Sequence, residues 1–240
     1  MAQRPIFSVD ETKEGLITEK LIEFEYFTGF SRSQKEKSIN SLHKAANLEE
    51  INSILEVSTK SSSQIGVLLS AFNLSFLSSE NKQIFLESAF QGSKIYENND
   101  GPHTDLYYLS PSDVKKDTRI DRNKKIVGFQ YNNIFWNTEP KTAFYDWLYL
   151  NALKFNIENS GNPIYKEVLN YSSFTDIEFN HKKSINCQAR SCALYVSLEK
   201  KNLLTDALKS KESFLEILSI DSFYNAEIEK NSYEQKGFFD

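Results

Sequence analysis

Glycine and proline are scarce, at 8 and 5 residues in a chain of 240. Together they fall below half of the roughly 12% of average usage, which excludes collagen-like and linker-rich arrays. The glycines stand at 15, 29, 66, 92, 101, 128, 161 and 237. A phosphate cradle needs glycines about two to five residues apart, so the dinucleotide G-x-G-x-x-G fingerprint and the P-loop are both absent. Ordinary Rossmann dehydrogenases and P-loop nucleotide triphosphatases drop out. The three histidines, His43, His103 and His181, are scattered, and no C-x-x-C, H-x-x-x-H or G-x-S-x-G occurs. Metal and serine-hydrolase chemistry therefore find no signature, and neither a metal nor a cofactor is expected. The two cysteines, Cys187 and Cys192, fall in what reads as one helix. Their side chains then point in different directions, a disulfide would be strained, and a reducing cytoplasm is the expected location. No apolar run approaches about 18 residues, so no membrane span is expected. Met1 to Gly15 mixes Arg4, Asp10, Glu11, Lys13 and Glu14, which leaves no signal-peptide apolar region.

What is plentiful is aromatic. Eighteen Phe, twelve Tyr and two Trp make 13% of a chain that is 40% apolar overall, so the chain has the means to fold. At about 150 residues per domain, the length favours one domain with elaborations over two. The net charge of −5 opposes general nucleic-acid affinity, because counterion release rewards basic surfaces. The distribution is uneven, however: Lys115, Lys116, Arg119, Arg122, Lys124 and Lys125 face only Asp117 and Asp121 within one short segment. That segment is either a solvated charged loop or a phosphate-contacting one.

Along the chain, Leu21 to Phe27 alternates apolar and polar residues and predicts a strand ending at Gly29. Ser33 and Glu36 form an S-x-x-E capping box for a helix with Ile39, Leu42, Ala45 and Ala46 on one face. Ser58 to Gln64 is a polar loop, and Leu86 to Tyr96 reads as a short amphipathic helix. Ile126 to Tyr131 and Ile134 to Trp136 predict a hairpin turning at Asn132-Asn133. Helices follow from Pro140 and Thr142 to a stop at Gly161 and Pro163, over Cys187 to Leu198, and over Lys209 to Ile220. No repeat and no βαβ rhythm occurs, so the predicted fold class is α+β, a mostly helical single domain with small antiparallel strands.

One constellation carries chemistry. Glu87, Gln91 and Lys94 stand at i, i+4 and i+7. Seven helical residues turn roughly 700°, so a carboxylate, an amide and an amine form one stripe, while Phe85, Ala89 and Phe90 face the other way. The plainer reading is a surface stripe with an ion pair bridged by Gln91, worth a few tenths of a kcal/mol.

The stretch Leu86-Glu87-Ser88-Ala89-Phe90-Gln91-Gly92-Ser93-Lys94 resembles the E-x-x-x-Q-x-x-K signature of the NADAR (YbiA-like) family, preceded by Ser70-Ala71-Phe72-Asn73. Val114-Lys115-Lys116, Trp136, Ala152-Leu153-Lys154-Phe155 and Ser184-Ile185-Asn186-Cys187 then follow in the family's order. The resemblance runs from about Leu55 to Leu198, and the whole chain looks most like the longer NADAR subgroup found beside DarT-type DNA ADP-ribosyltransferase toxins. Departures are Ala71, Ser88 and the segment from Phe174 to Phe179 in place of a Trp-Gly. By this likeness residues 1–54 form an N-terminal extension packed on the core, 55–198 a NADAR-like catalytic core and 199–240 a helical tail.

The resemblance implies hydrolysis of an N-glycosidic bond to ADP-ribose. For this subgroup it implies removal of ADP-ribose from guanine in DNA, as an antitoxin to a DarT-type toxin. ADP-ribosylated DNA is then the substrate partner. Breaking the bond from C1″ to nitrogen builds positive charge on the sugar, which a carboxylate stabilises, and this role falls to Glu87. Lys94 is the candidate nucleophile through a Schiff base, provided it is neutral. Lowering a free lysine from about 10.4 by three units costs roughly 4 kcal/mol. Ser70, Phe72, Asn73, Gln91, Trp136 and Asn186 are the expected substrate-binding residues, and Lys115, Lys116, Lys182, Lys183 and Arg190 the expected DNA contacts. Asp146, Asp176 and Glu178 are reserve candidates for a water-activating base. Two other readings stand: an N-glycosidase on a free phosphoribosyl or ADP-ribosyl metabolite, and a non-enzymatic antitoxin that binds the toxin protein.

Overall fold

A computed structural model describes residues 1–12, 14–29, 31–121, 123–182 and 184–219. The chain opens with two strands, β1 (Ala2–Val9) and β2 (Ile17–Phe24), paired antiparallel along their whole length. β1 was not anticipated, and β2 begins earlier than the predicted strand. The helix α1 (Arg32–Leu48) follows, and its cap is Ser31 rather than Ser33: the Ser31 hydroxyl accepts the Gln34 amide at 3.3 Å. The polar stretch after β3 (Ile54–Glu56) is a loop as far as Ser63, where the short α2 (Gln64–Leu68) begins.

A small hairpin, β4 (Ser75–Leu77) and β5 (Gln83–Phe85), leads directly into α3 (Leu86–Gly92) and β6 (Lys94–Tyr96). The predicted helix from Leu86 to Tyr96 therefore ends halfway. Lys94 pairs with Phe129 across a sheet, and the Gln130 amide bonds the Ser93 carbonyl at 2.8 Å. Strand pairing to a distant segment overrides the helical periodicity. After α4 (Pro111–Val114) come β7 (Ile126–Tyr131) and β8 (Ile134–Trp136), the predicted hairpin. Asn132 and Asn133 both take positive φ (47° and 62°), the backbone that a tight two-residue turn demands. Next are α5 (Ala143–Asn159), β9 (Ser173–Thr175), α6 (Gln188–Lys200), α7 (Leu204–Ala207) and α8 (Lys211–Ser219).

The main sheet has the order β2-β1-β9-β3, with β9 antiparallel to β1 and parallel to β3. Its alternating side chains serve two cores. Ile6 packs with Ile22, Phe24, Ile39 and Leu42 under α1, while the next residue, Phe7, joins Phe174 and the buried faces of α5 and α6. The architecture is a single α+β domain, with one parallel strand pair among the described residues. Glycine matters most at Gly66, where a Cβ would lie 2.1 Å from the Glu56 carbonyl oxygen. This close approach holds α2 against the end of β3.

Candidate active site

α5 and α6 are buried on nearly every side and form a floor on which several other segments converge. They bound a cavity of about 670 Å³ lined by Ser58 and Thr59, Ser70 to Phe72, residues of α3 and β6, Tyr145, and Asp176, Glu178, Phe179, Ser184 to Asn186 and Gln188. That volume suits a small-molecule or nucleotide-sized ligand.

Glu87, Gln91 and Lys94 all line it. They form one chain: Lys94 Nζ donates to Gln91 Oε1 at 2.6 Å, and Gln91 Nε2 donates to Glu87 Oε1 at 3.1 Å. Lys94 Nζ also lies 5.2 Å from the centre of the Phe90 ring. The short helix puts Glu87 in its first turn, where backbone N–H groups favour a negative charge. An amide that accepts from the amine and donates to the carboxylate fixes both groups at one end of the cavity. The predicted stripe is thus realised, although Lys94 contributes from a strand.

The cavity opposite is bounded by Gln188, which stitches three segments together. Its Nε2 donates to the Val57 carbonyl at 2.6 Å and its Oε1 accepts the Ala71 amide at 2.8 Å. Nothing in the sequence singled out Gln188, Ser58, Thr59 or Tyr145. Tyr145 is buried and meets Phe90 edge-on at 5.1 Å. Burial first, then the charges of Glu87 and other neighbours, push its hydroxyl well above the usual phenol range. It is a neutral donor at any working pH.

Of the expected binding residues, Ser70, Phe72 and Asn186 line the cavity. The Ser70 hydroxyl accepts the Phe72 amide at 3.4 Å. The buried Oδ1 of Asn186 meets no donor among the described residues, which suits a group that waits for a ligand. Lys115 also lines the cavity, with its ammonium 4.0 Å from the centre of the Phe72 ring.

Other expectations are corrected. Trp136 is 1% exposed and sits in the core against Trp147, Phe144 and Phe214, because β8 turns this ring inward. Asn73 is not in the cavity wall, and its Nδ2 donates to the Val67 carbonyl at 2.8 Å. Arg190 does not reach the surface. It is 3% exposed, and its Nη1 binds the Asp146 carboxylate and the Thr142 hydroxyl. Asp146 also accepts from Ser191 Oγ at 2.6 Å, so this reserve base is a structural anchor between α5 and α6. Lys116 is exposed, and Lys182 is exposed on a separate, smaller cavity beside Arg4. Lys183 and Arg122 lie outside the described residues. Asp176 and Glu178 line the main cavity.

The model of the DarT1-associated NADAR antitoxins matches residues 2–228. The chain belongs to that NADAR antitoxin family. The match takes in the whole cavity wall and also β1, which pairs with β9, and β2, which pairs with β1, so both belong to the main sheet. No curated protein matches this NADAR chain in sequence. No helix among the described residues is long and apolar enough to cross a membrane, and no cluster of three metal-ligating side chains occurs among them.

Proposed function

We propose that this NADAR antitoxin is an N-glycosyl hydrolase that removes ADP-ribose from guanine in DNA, reversing the modification made by a DarT-type toxin. The observation that carries it is the hydrogen-bonded chain Glu87, Gln91, Lys94 along one side of a nucleotide-sized cavity. Its ionic ends are the two groups that such a reaction uses. As the bond from C1″ to the base nitrogen stretches, the sugar becomes cationic, and Glu87 stabilises that charge. Lys94, once deprotonated, attacks C1″, the ribose ring opens as its ring oxygen takes an amine proton, and water then releases the sugar from the Schiff base. Gln91 keeps amine and carboxylate in register.

The same geometry supports the binding roles. Phe72, under the Lys115 ammonium, offers a ring face for a base and a cation for a phosphate, the pairing that single-stranded nucleic-acid sites use. Asn186 and Ser70 supply polar groups for ribose or pyrophosphate. Lys115, Lys116 and Lys182 serve DNA phosphates despite the acidic overall charge.

The test is to incubate the purified protein with two ADP-ribosylated single-stranded oligonucleotides, one modified on guanine and one on thymine, and to read the ADP-ribose released. Release from guanine alone, lost in Glu87→Ala and Lys94→Ala with folding retained, is the expected result. Folded protein that releases nothing from either substrate would refute it. A stable complex with the toxin that survives Lys94→Ala would favour protein masking instead.

A further inference from the structure

Glu56 ends β3 and Asp176 lies just past β9, and the parallel pairing of these strands, with Glu56 opposite Thr175, brings the two carboxyl groups together. Glu56 is 3% exposed and Asp176 8%. Their surroundings differ. Glu56 takes three donors: Ser58 Oγ at 2.7 Å and the Ile177 amide at 2.9 Å on Oε1, and Thr175 Oγ1 at 2.6 Å on Oε2. Thr175 spends its only proton on Glu56, so His43 Nε2, 2.8 Å from Thr175 Oγ1, must carry the hydrogen of that contact. His43 thereby carries a hydrogen on Nε2. Asp176 takes the Glu178 amide at 3.0 Å on Oδ1 and the Gln188 side chain.

Two buried carboxylates this close cannot both stay ionised, so the pair keeps one proton. Donors stabilise the charged form, and Glu56 has the fuller set, so the charge settles on Glu56 and the proton on Asp176. Asp176 is the member that lines the cavity shared with Glu87 and Lys94.

We propose that Asp176 is the general acid that protonates the departing base, and that Glu56 is a positioning residue that keeps this proton on Asp176. This rests on the hydrolase reading above. The bond from C1″ to nitrogen breaks, its electron pair stays on the base nitrogen, and that nitrogen takes the Asp176 proton as Lys94 bonds to C1″. Water then bonds to C1″, Lys94 leaves as the free amine, and the water proton returns to Asp176.

The other groups facing Asp176 fit this role. Tyr145 from α5 and Cys187 at the cap of α6 are pushed well above their usual ranges by burial and stay neutral. Glu178 pairs with Lys35 at 2.9 Å. Burial, then the charge of Glu56, raises the Asp176 carboxyl above the usual carboxylate range.

The experiment measures ADP-ribose release from the guanine-modified oligonucleotide across pH for wild type, Glu56→Gln and Asp176→Asn, beside an ADP-ribosyl nitrophenyl ether whose leaving group needs no acid. Asp176→Asn is expected to lose about 100-fold or more on guanine and to keep the nitrophenyl ether within about tenfold. Glu56→Gln keeps the shape but removes the charge. The alkaline limb of its kcat/KM profile is expected about one pH unit or more lower. Equal losses on both substrates, or an unmoved limb, overturn the proposal. The carboxyl carbon shift of Asp176, read by NMR in the free protein near neutral pH, separates the two readings. A protonated Asp176 in protein that releases nothing from guanine sinks the hydrolase reading, whereas an ionised Asp176 in active protein sinks the shared proton.

Discussion

Arg190→Met tests the buried anchor directly. The guanidinium binds an Asp146 carboxylate that is 1% exposed, and Thr142 and Ser191 complete the cluster between α5 and α6. Methionine fills most of the volume but removes the guanidinium, so the buried carboxylate loses this ion pair. Removing one partner of such a pair costs about 3–5 kcal/mol. With an unfolding entropy of about 2.1 cal/mol/K per residue, a chain of this length should melt roughly 6–10 °C lower. The double variant Asp146→Leu with Arg190→Met removes both charges and should recover much of that loss, because the buried carboxylate goes together with its cation. The assay is thermal and urea unfolding of the full chain, beside DNA binding at several salt concentrations by the folded variant. A melting temperature within about 1 °C of wild type, with weakened DNA binding, would refute the structural role and restore Arg190 to the DNA surface.

His43 should make stability depend on pH. Burial lowers its imidazole from 6.5 to about 4, so the folded state binds the proton less well than the unfolded one, and stability is lost as pH falls from about 6.5 towards 4. Between pH 7 and 5 this amounts to about 2 kcal/mol, read as the difference in urea unfolding between wild type and His43→Gln. A pH-independent difference would refute it. Asp176 has the opposite sign: its carboxyl is raised in the fold, so its contribution is present at low pH and fades as pH rises through the folded value. Asp176→Asn should flatten that alkaline decline in the same unfolding series. Borohydride added during turnover should trap an ADP-ribose adduct on wild-type protein and none on Lys94→Arg. An adduct mapped to another residue would displace Lys94 as the nucleophile. Lys115→Ala should weaken binding of single-stranded DNA several-fold and lower the salt slope by about one charge, as one lost phosphate contact does. Unchanged binding would leave Lys115 as a partner of Phe72 alone.

Local signals were legible in the sequence. The Asn132-Asn133 hairpin, the helices that became α5, α6 and α8, and the Glu87, Gln91, Lys94 stripe all follow from periods, caps and turns within about a dozen residues. The ordered motifs from Leu55 to Leu198 also pointed to the NADAR family. Long-range pairing was not legible. β1 has no distinct signature of its own, yet it bonds β9 from the far end of the chain, and that sheet places α1 on one side and α6 on the other. Pairing of β6 with β7 stops α3 before Lys94, packing between elements buries Trp136 and Arg190 where binding roles were expected, and pairing of β3 with β9 sets Glu56 beside Asp176. Sequence spacing alone fixes which side chains share a face of one element. Which faces meet depends on strands and helices separated by more than a hundred residues, and only their packing decides which charges are buried, which are paired and which open onto the cavity.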